Sequence, residues 1–488
     1  QGCPLSPALF VCVMEPLLNK LRNDQKVKGQ FVPGADGIPA KCVAYMDDVT
    51  IMCPDPESVT ATLLHCASFT QASGLSLNED KSTCLTIGRW STLTKLNVQT
   101  TKKPSKILGI LFTESQAEET NWEGIRKKIQ GKINLWKSRS LTLEGRILVI
   151  KAILLPLLLY VAMVFPPSSA TMKWLQRTIF QFFWNSQMEK LKRKLVVKSR
   201  VNGGKTMPNL IPFLLTKYTC LCYRAIKENK NIAACLVRYA TGFLFQKYNL
   251  HKIDHSKPAC PTPPPLYQCI DSFLRDYKLQ EYEEKTFLDQ KKLMAEIKDQ
   301  EQPTLVHSLP EDTSKEIWDA VNSKSIANSQ KDLAWMSVHG CLPVRAFQNR
   351  RGLATSAECP REECKGEEDV RHLLWSCPYA RGVWKKMKGL TSRLTGQKVL
   401  TYENILYGTN LKCDYGKEET VWRVVNCVKE SLWASRNLSV YHHNPIEEKE
   451  CIKLCFDKMT TYYYVDINKY GRTWAKGNWQ TKSWSEYI

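Results

Sequence analysis

Acidic residues are the scarce class in this 488-residue sequence: 48 Asp and Glu stand against 69 Lys and Arg, a formal net charge of +21. So basic a balance excludes an acidic, solvating chain. It argues for a polyanionic partner, nucleic acid first and an anionic membrane surface second. No leader is expected. The chain opens on "QGCPLSPALF" without a methionine, and its start carries no charged-then-apolar signal pattern. The 19 cysteines are spread along the chain rather than crowded into a short secreted frame, so most are expected to be reduced, buried, intracellular thiols. Nor is there an uninterrupted apolar run of bilayer length. In "ILVIKAILLPLLLYVAMVFPP" (147–167) Lys151 and Pro156 intervene, and the charge-free part, Ala152 to Phe165, falls short of the roughly 20 residues a span requires. A buried helix is expected there. No internal repeat of fixed period is visible.

What is present suffices for real cores, with 43% apolar residues and length for two to four domains. Residues 1–115 alternate short β-like runs with amphipathic helices, and 116–215 turn helical and strongly basic. "PACPTPPP" (258–265) reads as a linker inside a loosely patterned connector, 216–330. A helical, cysteine-containing module (331–385) and a Trp/Tyr-rich region (386–488) follow. The class expected is α+β.

Three segments carry chemistry. In "QGCPLSPALFVCVMEPLLNKL" Ser6 suits a helix N-cap and Pro7 the first helical position, while Leu9, Val13, Leu17 and Leu21 share one face. A glycine-containing loop, Gln1 to Pro4, thus feeds a buried helix. It suits close approach to a ligand, or an ordinary helix start. In "AKCVAYMDDVTIMC" two β-like runs flank a tight turn, setting Asp47 and Asp48 side by side near a hairpin tip. Adjacent carboxylates in apolar surroundings call for a divalent cation, and oxygen donors suit Mg²⁺; a solvated Asp-Asp turn is the plain alternative. In "CPREECKGEEDVRHLLWSC" Cys359, Cys364, His372 and Cys377 form C-x4-C-x7-H-x4-C, two short ligand pairs that suit tetrahedral Zn²⁺. His339 and Cys341 stand apart as core or surface residues.

These segments fall into a known order. "QGCPLSPALF" resembles motif B and "YMDD" (Tyr45–Asp48) motif C of reverse transcriptases. "GLSLNEDKS" (Gly74–Ser82) resembles motif D, and "KILGILF" (Lys106–Phe112) motif E. The chain is most similar to reverse transcriptases of non-LTR, LINE-type retrotransposons that carry a C-terminal cysteine/histidine module. "DLAWMSVHGCLPVRAFQNRRGL" resembles the helical lead-in of that module.

The resemblance implies a partial right-hand polymerase palm, an antiparallel sheet plus helices, over 1–115. A mostly helical thumb (116–215), connector, zinc module and C-terminal region would follow. It implies an RNA-directed DNA polymerase acting on an RNA template, a DNA primer or target and dNTPs, with Mg²⁺ or Mn²⁺ and Zn²⁺, away from membranes, in nucleus and cytoplasm. Asp47 would hold both catalytic metals and Asp48 would assist. Tyr45 and Met46 would lie near the primer end or incoming nucleotide, with Gln1 and Gly2 against the nucleotide. Leu108 and Gly109 would belong to the primer grip. Lys81 would be a general acid or phosphate contact, or a solvated turn lysine. The family takes a third carboxylate from a strand before motif B. With no such strand in the sequence, the chain by itself is expected to be inactive.

Basic side chains complete the picture. Arg126, Lys127, Lys128, Lys132 and Lys137 flank an apolar stripe, Trp122, Ile125, Ile129, Ile133 and Trp136, as a thumb would present them to duplex phosphates. Lys192, Arg193 and Lys194 lie in "KLKRKLVVKSR" (190–200), a run without an acid that suits either phosphate contact or nuclear localisation. Trp384, Trp422, Trp433, Tyr462 to Tyr464, Trp474, Trp479 and Trp484 suit base stacking or core packing. No nuclease signature stands out. The competing expectation is a non-enzymatic nucleic-acid-binding remnant or a host-adopted thumb and zinc module. A viral RNA-dependent RNA polymerase fits less well, given the zinc module and Met46 where a glycine would stand.

Overall fold

The computed structural model describes residues 3–88, 99–101, 103–228, 231–252, 256–396, 400–408 and 417–480. Helix α1 (Ser6–Asn23) leads to strands β1 (Cys42–Tyr45) and β2 (Asp48–Ile51), then α2 (Pro56–Ser73). Short strands β3 (Thr83–Leu85), β4 (Gln99–Thr101), β5 (Ser105–Ile107) and β6 (Ile110–Phe112) follow. Helices then take over: α3 (Ala117–Lys137), α4 (Leu143–Val149), a π-helical turn (Ile150–Leu154), α5 (Leu155–Ala162), α6 (Ser169–Trp184), α7 (Arg193–Val196), α8 (Leu210–Glu228) and α9 (Ile232–Lys247). Next come α10 (Pro265–Asp276), α11 (Gln290–Asp299), α12 (Glu311–Val321), α13 (Asn328–Val338) and α14 (Arg345–Arg350). A second π turn (His372–Ser376) precedes α15 (Pro378–Thr395), α16 (Tyr402–Tyr407), α17 (Glu418–His442), α18 (Glu448–Tyr470) and α19 (Arg472–Trp479). The α+β class is met, with helix dominant.

The chain divides into two compact units, one of residues 1–138, 150–179 and 209–299, the other of 139–149, 180–208 and 300–488. These units interleave along the sequence.

In the first unit α1 and α2 enclose a small core of Leu17, Leu21, Val27 and Ala61, on which Cys42 and Ile51 pack. Those two residues are register partners at the base of the β1–β2 hairpin, so the base is anchored while the tip projects. The preceding loop is fastened by Ser58 Oγ donating to the Lys26 carbonyl (3.2 Å) and Lys41 Nζ donating to the Asp24 carbonyl (2.7 Å). Asp55 caps α2 through the Ser58 amide, and its carboxyl is lowered to about 2, chiefly by the Lys28 ammonium hydrogen-bonded to it.

The opening helix departs from expectation. Leu5, not Ser6, stands at the N-cap, and Leu9 and Val13 are exposed while only the second half, Leu17, Leu18 and Leu21, is buried. Hydrophobic spacing selects a face; whether that face is covered depends on a neighbour.

Among the described residues the strands form three separate two-stranded sheets: β1–β2 and β5–β6 antiparallel, β3–β4 parallel. They are not joined into one palm sheet. Strands of three or four residues have few ladder bonds to extend a sheet sideways.

The stretch expected as a connector is helical and packed. Tyr218, Tyr223, Phe245, Ile270, Phe273, Phe287 and Leu293 share one core across α8 to α11. Proline confines the irregular chain to the segment before α10, where Pro265 begins the helix.

Leu143–Ala162 is long and apolar enough to cross a membrane by length and composition, yet half of its apolar window is buried in protein. Ile147, Ile150, Leu154, Leu158 and Val161 are buried, and Leu148 and Lys151 are exposed. The one-sided burial is that of a core helix. Its π turn lies just before Pro156, where the missing N–H interrupts the i→i−4 ladder.

The second unit packs α15, α17 and α18 around Val383, Met387, Val425, Val428, Cys455, Phe456 and Trp479. The described cysteines are all free thiols, with Cys3 and Cys12 exposed and the rest buried or half-buried.

Candidate active site and metal centre

The β1–β2 hairpin closes through two residues. Tyr45 pairs with Asp48, leaving Met46 and Asp47 as the turn, with Met46 at φ 54°. Tight hairpins need a positive φ at the first turn position, and a methionine holds it here in place of the usual glycine or asparagine. Asp47 therefore sits at the tip and Asp48 at the head of β2, adjacent and both exposed; Tyr45 and Met46 are exposed beside them.

The expected burial is corrected. Of the apolar residues that suggested it, Cys42 and Ile51 pack at the hairpin's base while Val43, Tyr45 and Met46 are exposed, so desolvation does not force a cation onto the pair. As hard oxygen donors the two carboxylates match Mg²⁺ or Mn²⁺ in kind. In number they fall short of a two-ion site, because among the described residues no third His, Cys, Asp or Glu joins them.

Leu108 and Gly109 form the turn of the β5–β6 hairpin, with φ 46° and 87°, as a type I′ turn requires. The Tyr160 hydroxyl on α5 donates to the Leu108 carbonyl and holds that tip in place. Lys81 is exposed in the turn before β3, its amide donating to Asn78 Oδ1 (3.1 Å), and it makes no ion pair with Asp47 or Asp48. Gln1 and Gly2 lie outside the described residues.

The basic residues separate into two groups. On α3 the buried stripe is Trp122, Ile125, Ile129 and Ile133. Lys128, Lys132 and Lys137 are exposed, and Lys127 is exposed but paired with Glu123 (2.8 Å). Arg126 is committed internally, bonded to Glu119 and Thr171 at 2.8 Å each. Lys192 and Lys194 are exposed, whereas Arg193 forks onto Glu189, one residue before the acid-free run, and lies over the Phe180 ring. Lys198 also turns inward, to the Gln302 carbonyl (2.6 Å). Arg126 and Arg193 thus act as structural fasteners within the first and second units respectively.

The cysteine/histidine cluster is assembled. One donor atom from each of Cys359, Cys364, His372 and Cys377 lies within 4.8 Å of every other, with Cys364 Sγ and His372 Nε2 at 3.3 Å. Tetrahedral zinc with ligand bonds of about 2.0–2.3 Å fits such a set.

Local structure explains the convergence. A bridge between Glu358 and Glu367, with the Cys359 amide donating to the Gly366 carbonyl (2.8 Å), folds the first pair back on the second. Five residues along an α-helix would leave His372 and Cys377 about 140° apart. The π turn instead bonds the Cys377 amide to the His372 carbonyl (2.9 Å), which sets one above the other. Gly366 is required by contact: a Cβ there would stand 2.7 Å from His372 Cε1.

Cys377 is also the N-cap of α15. Its thiol is lowered to about 5, first by a hydrogen bond from the Cys359 thiol and further by the Tyr379 and Ala380 amides, while Cys359 is pushed up by the same bond. A thiolate at a helix N-terminus is prepared for a metal. His339 is no ligand. It stacks on Trp318 at 4.7 Å, its Nε2 meets the Gly203 carbonyl (2.8 Å), and burial lowers it to about 4.

Sequence reading missed what holds the cluster in place. Glu368, between the second cysteine and the histidine, is buried and grips buried Arg436 of α17 through two bonds (3.0 and 2.8 Å), while accepting the Arg345 amide (2.8 Å). Its signal, an acid in a run of acids, was indistinguishable from a solvated turn. Glu368→Ala is expected to cost about 3–5 kcal/mol, because Arg436 would remain buried and unpaired. Urea unfolding of the zinc-loaded protein measures this, and a change under about 1 kcal/mol would contradict it.

The reading also passed over α15, which carries no acid and exposes Arg381, Lys385, Lys386 and Lys388 directly after the cluster. The aromatic residues divide too. Trp384, Trp422 and Trp479 are buried, Trp433 and Tyr462 half-buried, and Tyr464 and Trp474 exposed; Trp484 lies outside the described residues.

Two family models match segments that include these residues. Residues 1–112 match the family model of reverse transcriptase (RNA-dependent DNA polymerase), and residues 304–384 match that of the zinc-binding module in reverse transcriptase. The first match contains both hairpins and Lys81; the second contains all four cluster residues. Together they support a reverse transcriptase that binds zinc.

Proposed function

We propose that the chain serves RNA-directed DNA synthesis in a LINE-type, non-LTR retrotransposon, contributing the Asp47–Asp48 hairpin, a basic thumb and a zinc module. The observation that carries the reading is the adjacent pair of carboxylates on a projecting hairpin inside the reverse-transcriptase match. Mg²⁺ or Mn²⁺, when bound, would supply charge stabilisation to the entering and leaving oxygens of nucleotidyl transfer. Asp47 and Asp48 would hold part of that ion's shell, and the third carboxylate would come from a segment outside these residues. Tyr45 and Met46 would border the primer end, and the Leu108–Gly109 turn would hold the primer strand. Deoxynucleotide incorporation on an RNA template, with that segment supplied, tests the proposal.

A second reading, nucleic-acid binding without catalysis, is favoured by one observation: the described residues give the pair no third ligand. Both readings draw on exposed cations, Lys128, Lys132 and Lys137 in the first unit and Lys192, Lys194 and those of α15 in the second. Binding to an RNA–DNA duplex is therefore expected to show little sequence preference and to weaken steeply with salt. For 6–10 phosphate contacts the loss is about 10³- to 10⁵-fold between 50 and 200 mM. Changing Lys128, Lys132 and Lys137 together to Gln should lower the log–log salt slope by about 2 to 3. An unchanged slope removes α3 from the interface.

A further inference from the structure

Residues beyond 384 match neither family model, and within them the α18–α19 corner presents two exposed aromatic rings in contact. Gly471 joins the two helices at φ 88° and ψ 162°, backbone that is essentially restricted to glycine. No atom lies within 4 Å of where its Cβ would be, so the requirement is conformational, not steric. The bend brings two aromatic residues from different helices together. The Tyr470 and Trp474 ring centroids are 4.4 Å apart and tilted by 39°. Both remain open to solvent, Tyr470 at 46% and Trp474 at 41% of full exposure. By contrast Trp479, further along α19, is fully buried, and its Nε1 donates to Asp466 (2.8 Å).

Cations surround the pair. Lys469 Nζ lies 4.7 Å over the Tyr470 ring, and Arg472 and Lys476, four apart on α19, are exposed. Of the acids nearby, Asp466 is buried and bonded to Arg423 (2.6 Å) and Trp479, while Glu419 is exposed and faces Lys469. Positive charge remains in excess. Exposed π faces interleaved with cations suit unpaired nucleotides: rings stack on bases, and Lys and Arg meet the phosphates. A duplex, its bases already stacked, would gain from the cations alone.

Resting on the nucleic-acid reading above, we infer that the Tyr470–Trp474 corner is a binding platform for single-stranded nucleic acid, which its exposed rings favour over duplex. The partner is recognised by its unstacked bases and its phosphates, without base sequence.

The test uses the full zinc-loaded chain with fluorescein-labelled oligo(dT) and oligo(U) of 20 nucleotides and an RNA–DNA duplex of equal length. Trp474→Ala and Tyr470→Ala should each weaken single-strand binding about 5-fold or more while leaving duplex affinity within about 2-fold. Trp474→Phe should restore most of the loss, since phenylalanine keeps a stacking face. Ultraviolet cross-linking of a bromouridine-substituted strand should map to peptides containing Tyr470 or Trp474. Single-strand affinity unchanged in both alanine variants, with cross-links elsewhere, overturns the platform. So does loss of self-association in Trp474→Ala without loss of strand binding, which would mark the corner as a protein contact. Intact duplex binding in either case leaves the broader reading standing; a wild-type chain that binds neither probe defeats both.

Discussion

Cys364→Ser is expected to abolish stoichiometric zinc binding and to loosen the second unit around residues 344–380, leaving the Asp47–Asp48 hairpin as folded as before. Four donor atoms within 4.8 Å of one another, two of them a buried thiol pair, are a costly arrangement without an ion to neutralise them. Structural zinc contributes about 10–16 kcal/mol of apparent binding free energy in small modules, so losing one thiolate removes several kcal/mol of folding energy locally. The effect is local because the hairpin rests on Leu17, Leu21, Val27 and Ala61, in the other unit. Metal analysis at neutral pH and hydrogen exchange by peptide measure both halves. Chelation of the wild type should reproduce the exchange pattern. A wild-type chain that is fully protected at 344–380 yet holds no zinc would sink the assignment.

Primer extension gives the second large effect. The 488-residue chain is expected to bind a primer on an RNA template and add nothing to it, because two exposed carboxylates cannot by themselves fix a pair of metal ions in line with the reacting phosphate. Supplying a reverse-transcriptase segment that carries the third carboxylate, in cis or in trans, should switch extension on. In that complemented protein Asp47→Ala should reduce extension by several orders of magnitude with template affinity within about 2-fold, and Asp48→Ala by less. Asp47→Asn is the stricter control, since it keeps the size and loses the charge. Extension by the unaided chain would show that the described donors suffice, and full activity in complemented Asp47→Ala would exclude that residue from the chemistry.

Some of this was legible before any coordinates. Chemistry that depends on spacing within a few dozen residues was written in the chain: the tight turn at Asp47–Asp48 and the C-x4-C-x7-H-x4-C set. Local rules, two-residue turns between β-like runs and ligand pairs closed by a turn, do not wait on the rest of the fold. The apolar stripe of α3 was equally readable, because a period of 3.6 identifies the face a helix will bury.

What the sequence could not express was which side chains would meet across long separations. Arg126 looked like its neighbour Lys128 until Thr171, 45 residues on, was brought to it. Glu368 looked like its solvated neighbours until α17 delivered Arg436 from 68 residues away. Leu9 and Val13 shared a face with Leu17 and Leu21, but only the latter two found a partner surface. Composition determined that the chain is strongly basic, and local spacing that it carries a cysteine/histidine set suited to a metal. Tertiary structure decided which cations are free to meet a polyanion, because an ion pair or a burial depends on distance in space, and one-dimensional spacing encodes such distances only within a helix, a hairpin or a turn.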